Sequence, residues 1–353
     1  MSKAAELANL IGNINAGGGG VGRNLFINGA MNVAQRGTSS TGLGTTAGYY
    51  TTDRWHLALN SNTAGRLTMT QDSSAPSGFA NSTKLACTTA DTSIASGEQV
   101  IFQQKIEGQN LQTLAKGTSD AKPLALSFYV KGNASATYVA ALYEGDNSRY
   151  VGKTFSVTTD WTRVEITFPA DTTGALDDDN ASSLELWIWL HAGSTYKGGT
   201  LPLTWASYSN ANAAEGADSF FDSTSRTFFI TGVQLEVGQN PTEFEHEPFD
   251  RTLAKCQRYY QDVYYNYEGS FGSSGTGRPH QTILQVPMRA SQTLTNNQIS
   301  TGNDVSGLDH LSAYNTEALS GSIPRFAHVQ VGLTFSGSGY GYYYTKISAD
   351  AEL

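Results

Sequence analysis

Trp187 and Trp189 stand two residues apart in the apolar run LELWIWL, and Tyr196, Trp205 and Tyr208 follow in the loop after it. Side chains at alternate positions of a strand leave the sheet on the same side. Two indoles placed in this way make a flat aromatic platform. Aromatic faces stack on the apolar faces of sugar rings while polar neighbours supply hydrogen bonds. These five residues are therefore the candidate glycan-binding set. Core filling is the plainer role for Trp187 and Trp189, because aromatic side chains dominate buried contacts. The two roles part in a Trp189→Ala or Trp205→Ala variant that loses glycan while its melting is unchanged.

Other chemistry is thinly represented. Asp177, Asp178 and Asp179 precede Asn180, and clustered oxygen donors of this kind suit Ca²⁺. Asp177 and Asp179 are the candidate ligands, and an acidic turn facing water is the plainer reading. Beyond that structural ion the sequence asks for no cofactor. The histidines, at positions 56, 191, 246, 280, 310 and 328, show no HExxH or paired-ligand spacing, and no GxSxG elbow or P-loop occurs. Two carboxylates for sugar hydrolysis need not be close in sequence, and nothing singles out such a pair. The expectation is a protein that is not an enzyme. Asp53-Arg54-Trp55 reads as structural, with Trp55 in the core and Arg54 paired or stacked inside. Cys87 and Cys256 lie far apart, match no zinc spacing and read as free thiols, with Cys87 a small buried core residue.

These groups need a scaffold, and the chain is written in strands. YYTTDRWHLAL, RLTMTQD, TKLACTTA, EQVIFQQKIE, PLALSFYVKG, TYVAALYE, KTFSVTTDWTRVEITFPA, SLELWIWLHAG and RTFFITGVQLEVG are rich in aromatic and β-branched residues, with Gly, Ser, Asn and Asp turns between them. NLFINGAMNVAQRG is expected to open the series, with Leu25, Ile27 and Met31 in the core. LELWIWL is apolar on both faces, so it is expected at the centre of a sheet, covered on each side. Gly193 to Ser219 is a loop long enough to suggest a function. Asp250 is expected to cap a short helix before Leu253 and Cys256. Strands then resume in HQTILQVPMRA, RFAHVQVGLTF and GYYYTKISADA. At the N-terminus, residues 2–14 predict a helix capped by Ser2, with Leu7, Leu10, Ile11 and Ile14 as its apolar stripe. It is too short to stand alone in water, so the stripe is a candidate anchoring or oligomerisation surface. AGGGGVG follows as a flexible joint.

The resulting expectation is mainly β. Residues 1–22 form an anchoring helix and joint, 23–248 a jelly-roll or β-sandwich domain, and 249–353 a second, smaller β-rich domain. Charged residues make up only 15% of the 353, while 39% are hydrophobic and 18 are Tyr, which excludes a disordered chain. Net charge is −9 and no Lys/Arg cluster occurs, which argues against nucleic-acid binding. No apolar run approaches the ~20 residues of a membrane helix, so no membrane insertion is expected. The start lacks the pattern of a secretory signal, which points to synthesis in a cytosol.

NLFINGAMNVAQRG, YYTTDRW, KLACT, QKIEG, LALSFYVKG, DWTRVEITF, GVQLEVGQNPTEFEHEPF, CQRYYQ and the terminal SADAEL together resemble tail-fibre and related appendage proteins of tailed bacteriophages and prophages. GVQLEVGQNPTEFEHEPF followed by CQRYYQ is the most specific part. The resemblance implies a carbohydrate-binding-like jelly roll over 23–248 and a β-rich tip, often trimeric, after it. It further implies a virion location, synthesis in a bacterial cytoplasm, and an N-terminal segment that meets other virion proteins. The implied function is attachment to host surface polysaccharide or lipopolysaccharide by a homotrimeric structural protein. The alternatives are a head fibre, decoration protein or tail adaptor without receptor contact, and a polysaccharide-degrading enzyme. The chain has no long shaft, so a fibre built from it would be stubby.

Overall fold

The structure is a computed structural model that describes residues 2–8, 22–271, 275–276, 280–290, 292–303, 305–315, 327–335 and 339–353. The chain divides into two compact units, Met1–Phe249 and Asp250–Leu353. It is mainly β, and among the described residues no helix is long and apolar enough to cross a membrane.

The first unit contains β1 (Ser39–Leu43), β2 (Gly48–Tyr49), β3 (His56–Asn60), β4 (Arg66–Asp72), β5 (Ser82–Thr89), β6 (Gln99–Glu107) and β7 (Leu124–Gly132). It continues with β8 (Ala136–Glu144), β9 (Arg149–Val157), β10 (Thr162–Phe168), β11 (Ser182–Ala192), β12 (Ala206–Ser207) and β13 (Thr227–Val237). They form a jelly-roll-like sandwich of two antiparallel sheets. One is six-stranded, in the order β1-β4-β5-β13-β7-β10, and the other is seven-stranded, in the order β12-β9-β8-β11-β6-β3-β2. Alternation fills the space between them. Phe102 and Ile106, Leu126 and Phe128, Leu186 and Ile188, and Phe228 and Ile230 all enter one core, with Cys87 among them as a free thiol. Trp55 is fully buried there and stacks on Phe102 at 4.9 Å.

Two expectations change in this unit. Residues 24–37 are not a strand. Asn28 and Met31 have left-handed φ values of 58° and 57°, which a strand cannot hold. The segment instead seals one end of the sandwich. Leu25 N donates to Leu235 O at 2.8 Å, Val233 N donates to Gly29 O at 3.0 Å, and Ile27 exchanges two bonds with the Gln104 side chain. Any side chain at position 29 would strike Val233 O, only 2.1 Å from the place of a Cβ. Met31 is in the core, Leu25 packs against its edge, and Phe26 enters it in place of Ile27. The second change concerns Asp53 and Arg54 of YYTTDRWHLAL, which lie on a turn ahead of the strand rather than within it. The Asp53 carboxylate accepts from Gln35 N at 2.9 Å, Arg54 donates to Lys105 O at 2.9 Å, and Trp55 Nε1 donates to Asn28 O at 3.0 Å.

The GVQLEVGQNPTEFEHEPF segment has a structural explanation. The Glu236 side chain is fully buried, and its carboxylate accepts from Thr242 N at 2.6 Å and from Gln234 Nε2 at 3.0 Å. Gln234 Oε1 in turn accepts from Glu245 N at 2.8 Å. The chain leaving β13 is thus folded back along it.

The second unit opens with a helix, Phe249–Gln257, in which Asp250 lies inside the first turn instead of capping it. Its strands are β14 (Tyr260–Phe271), β15 (Gly275–Thr276), β16 (His280–Ile283), β17 (Thr293–Asn303), β18 (Val305–Asn315), β19 (Ala327–Phe335) and β20 (Gly339–Asp350). One sheet runs β14-β20-β17, and β15, β16 and β18 pair with β19 in another. Val329, Val331 and Leu333 share a separate core with Val263, Tyr343 and Ile347. HQTILQVPMRA is a strand only as far as Ile283.

At the N-terminus residues 3–8 are helical and Ala5 N donates to Ser2 Oγ at 3.3 Å, so the cap forms as expected. Leu7 is exposed. Leu10, Ile11, Ile14 and the glycine joint lie outside the described residues.

Candidate functional site

β11 is the middle strand of the seven-stranded sheet. One face of it, Leu184, Leu186, Ile188 and Leu190, looks into the core between the sheets. The other carries Glu185, Trp187 and Trp189 to the outer face, where a second apolar cluster gathers. The tryptophans therefore do not fill the inter-sheet core.

Strand register sets side chains in rows across that outer face. One row reads Tyr49, His56, Gln103, Trp187, Ala141 and Gly152. The next reads Lys105, Glu185, Tyr143, Tyr150 and Ala206. A third runs Ala58, Ile101, Trp189, Val139 and Thr154. Neighbouring strands lie about 4.8 Å apart, so the four side chains from Tyr49 to Trp187 span roughly 14 Å.

The Gly193–Ser219 loop covers one side of this face. It contains the 3₁₀ turn Ser194–Tyr196, β12 and the short helix Asn210–Ala213. Leu201 lies over Gly152, where a Cβ would stand 2.9 Å from its Cδ1. Trp189 Nε1 donates to Tyr150 Oη at 3.0 Å, and Tyr150 Oη donates to Ala213 O at 2.6 Å. Trp189 is fully buried beneath the loop. Tyr196 packs on Trp189 at 5.2 Å, and Tyr208 meets Trp187 edge-on at 5.7 Å. Burial pushes the Tyr208 hydroxyl up to about 12. Four of the five aromatic candidates thus meet in one cluster. Trp205 does not join them: its Nε1 donates to Pro169 O at 2.8 Å, and it packs on the edge of the inter-sheet core, where it lines a small pocket with Leu114, Lys122, Leu124 and Leu184.

The rest of the face is part-exposed, with Gln103 buried at its centre. Trp187 is half-buried, stacks on Tyr143 at 4.6 Å, and is pinned by Nε1 donating to Glu185 Oε2 at 2.7 Å. Gln103 Nε2 donates to His56 Nδ1 at 3.0 Å, and Tyr49 meets the His56 ring edge-on at 4.8 Å. Burial, followed by the positive charge of Lys105, holds His56 down to about 4, so its ring is neutral at ordinary pH. The strip combines an oriented indole, a stacked phenol, an amide, a neutral imidazole and an ammonium. Such a strip can hold a planar or ring-shaped polar ligand by stacking and hydrogen bonds. The sequence reading missed Tyr143, Gln103, His56, Tyr49 and Lys105. The one trace of them was QVIFQQKIE, in which Gln103 and Lys105 alternate onto one face.

Two buried polar groups elsewhere have different roles. His191 Nε2 lies 3.1 Å from Glu98 Oε2, and its Nδ1 lies 2.8 Å from Ser219 Oγ. A hydrolytic triad sets serine against Nε2 and the acid against Nδ1, so the nitrogens are reversed. Ser219 Oγ is also engaged by Phe221 N at 3.2 Å. The trio acts as a clamp that ties the far end of the loop to the sheet. Lys116 Nζ is ringed by Glu144 Oε2 at 3.3 Å, Asp171 Oδ2 at 3.2 Å, Thr173 O at 2.9 Å and Gly174 O at 2.8 Å. Asp177 and Asp179 are exposed, and Asp179 Oδ1 accepts from Ala181 N at 2.9 Å. Among the described residues no group of three His, Cys, Asp or Glu side chains forms a metal centre.

No protein-family model and no curated protein matches the chain. Solved carbohydrate-binding modules are similar in structure. The family 61 module TmCBM61, solved with β-1,4-galactotriose, is 10% identical over 61% of this chain and 99% of its own, with a TM-score of 0.32. The family 11 module of Clostridium thermocellum, solved with a β-1,3-1,4-mixed-linked tetrasaccharide, is 13% identical over 59% and 98%, with a TM-score of 0.28. A family 30 module is 15% identical over 64% and 91%, with a TM-score of 0.29. Scores this low give the likeness no weight for function.

Proposed function

We propose that the protein is a non-enzymatic saccharide-binding protein that takes its ligand on the open strip of the seven-stranded sheet. The observation that carries this reading is the row Tyr49, His56, Gln103 and Trp187, flanked by Lys105 and Tyr143. Stacking from an indole fixed by Glu185 would supply affinity, and the polar members would fix orientation. Trp187 is the residue to test, because it is half-buried whereas Trp189 is structural in its burial. Calorimetric titration of Trp187→Ala against a panel of surface glycans should show roughly tenfold or greater loss of affinity, since stacking on one aromatic face is worth about 1–3 kcal/mol by analogy with base stacking. The melting temperature should fall by only a few degrees. Absence of glycan binding by the unmodified protein would end this reading.

The setting we propose is an appendage of a tailed-phage particle that contacts polysaccharide or lipopolysaccharide of the host, assembled as a homotrimer through its N-terminal helix. The sequence resemblance supports it, and the exposed Leu7 is consistent with an apolar helix face available for docking. Antibody labelling of particles by electron microscopy tests the location, and competition of purified protein for adsorption tests the contact with the host.

A further inference from the structure

Lys105 and His56 give the strip donors that no acceptor takes among the described residues. Lys105 stands opposite Glu185 in register, yet no ion pair joins them among the described residues. Both Glu185 oxygens are already engaged, Oε1 by Ser182 Oγ at 3.1 Å and Oε2 by Trp187 Nε1 at 2.7 Å. The Lys105 ammonium makes no hydrogen bond or ion pair among the described residues, so its three donors remain for a ligand. With Gln103 Nε2 donating to His56 Nδ1, the imidazole proton sits on Nε2, which has no acceptor among the described residues. Burial first, and the Lys105 charge after it, lower the His56 pKa, so the ring next to this ammonium stays neutral. An ammonium held in no ion pair among the described residues thus stands near the half-buried Trp187 indole.

We infer that the ligand of this strip is an acidic saccharide, a uronate-bearing glycan whose carboxylate pairs with Lys105 and accepts from His56 Nε2 while its ring lies on Trp187. This rests on the saccharide-binding reading and narrows it. Lys105 and Trp187 are diagonal neighbours across the β6–β11 ladder, about 7–8 Å apart at the backbone, which one pyranose ring with its carboxylate can bridge. A charge-assisted bond to a carboxylate is roughly twice as strong as one to a neutral hydroxyl, so the acid is favoured over its neutral counterpart.

The test is a titration of the full chain with matched neutral and uronate-bearing oligosaccharides, with poly-glutamate as a carboxylate that is not a sugar. The uronates should bind about tenfold more tightly than the neutral partners, and the preference should shrink as salt is raised. Lys105→Met should erase the preference, lowering uronate affinity about tenfold more than neutral-sugar affinity with melting unchanged, and Lys105→Arg should restore it. Should Lys105→Met melt low, Lys105→Gln, which keeps the length and a polar end, takes its place. Equal affinity for both sugars, or a preference untouched by Lys105→Met, overturns the inference and leaves saccharide binding standing. Poly-glutamate bound as tightly as the uronates, or no saccharide bound at all, overturns both.

Discussion

Lys116 shows how one side chain can take the part of an ion. Its side chain is only 5% exposed, and those of Glu144 and Asp171 are 0% and 4% exposed. Carboxylates so deep need a compensating charge. The ammonium supplies it, and it also takes two backbone carbonyls at the Thr173–Gly174 turn. Arg149 Nε adds a bond of 2.6 Å to Asp171. Burial works to raise the Asp171 pKa, but bonds from Arg149, Thr173 and Lys116 outweigh it and hold the carboxyl below its ordinary range. Lys116→Met should therefore cost about 3–5 kcal/mol, the usual loss when one partner of a buried pair is removed, read as a lowered urea midpoint with an unchanged slope. The binding strip should be unaffected in the folded fraction.

At the scale of elements, the Gly193–Ser219 loop decides how much of the outer face is available. It closes over β8, β9, one end of β11 and Ile101 of β6, and it leaves Tyr49, His56 and Lys105 part-exposed. Its attachment runs through a few specific bonds: Tyr150 Oη to Ala213 O, Tyr208 N to Ser148 O at 2.8 Å, and Asp218 N to Thr137 O at 2.8 Å. Tyr150 is the pivot, since it also takes the Trp189 indole proton. Tyr150→Phe would strand a buried indole N–H and a carbonyl together, a cost of about 1–3 kcal/mol. Hydrogen exchange should then quicken across residues 194–217 while the β6 and β7 amides stay protected. Uniform protection across the loop would show that its apolar contacts alone hold it down.

At the scale of the whole molecule, the buried titratable groups make stability depend on acid in one direction. Burial lowers the His191 pKa below 6.5 more than Glu98 raises it, and His56 falls from 6.5 to about 4. Both rings are neutral when folded and protonate more readily when unfolded. Their contribution is therefore fully present above pH 6.5 and is lost as pH falls through the folded values. Burial alone would raise Glu98 and Asp91. The Thr63 hydroxyl and amide and His191 reverse this at Glu98, and the Ser93, Ala64 and Gly65 amides reverse it at Asp91, so both lie below their ordinary 4.5 and 3.8. Their contribution disappears in the next interval down. Urea midpoints should be flat above pH 6.5, decline toward pH 4 and fall further beneath it. A His191→Gln variant should flatten the upper part of that decline.

Much of the fold was legible locally. The alternation of RTFFITGVQLEVG produced β13, and the doubly apolar LELWIWL produced a central strand covered on both sides, because strand periodicity and burial are written in neighbouring residues. Cys87 and Trp55 were likewise readable as core. The candidate site was not legible in the same way. Trp187 and Trp189 announced an aromatic pair, but only the packing of a distant loop decided that one is sealed and the other half open. Gln103, His56 and Lys105 reach Trp187 through strand register, a property of non-local pairing that no spacing in the chain encodes. Trp205, a near neighbour of Tyr208 in sequence, is turned to the opposite task of packing beside Lys116. Residues 24–37 carried a strand-like composition and became a cap, because β5 leaves β13 after Ile230 and the open edge bonds to Leu25 and Gly29. The sequence by itself determined most of the strands and the face by which each enters the core, since period and apolarity are local. Tertiary structure decided which buried residues face each other, because that depends on pairings made across the whole chain.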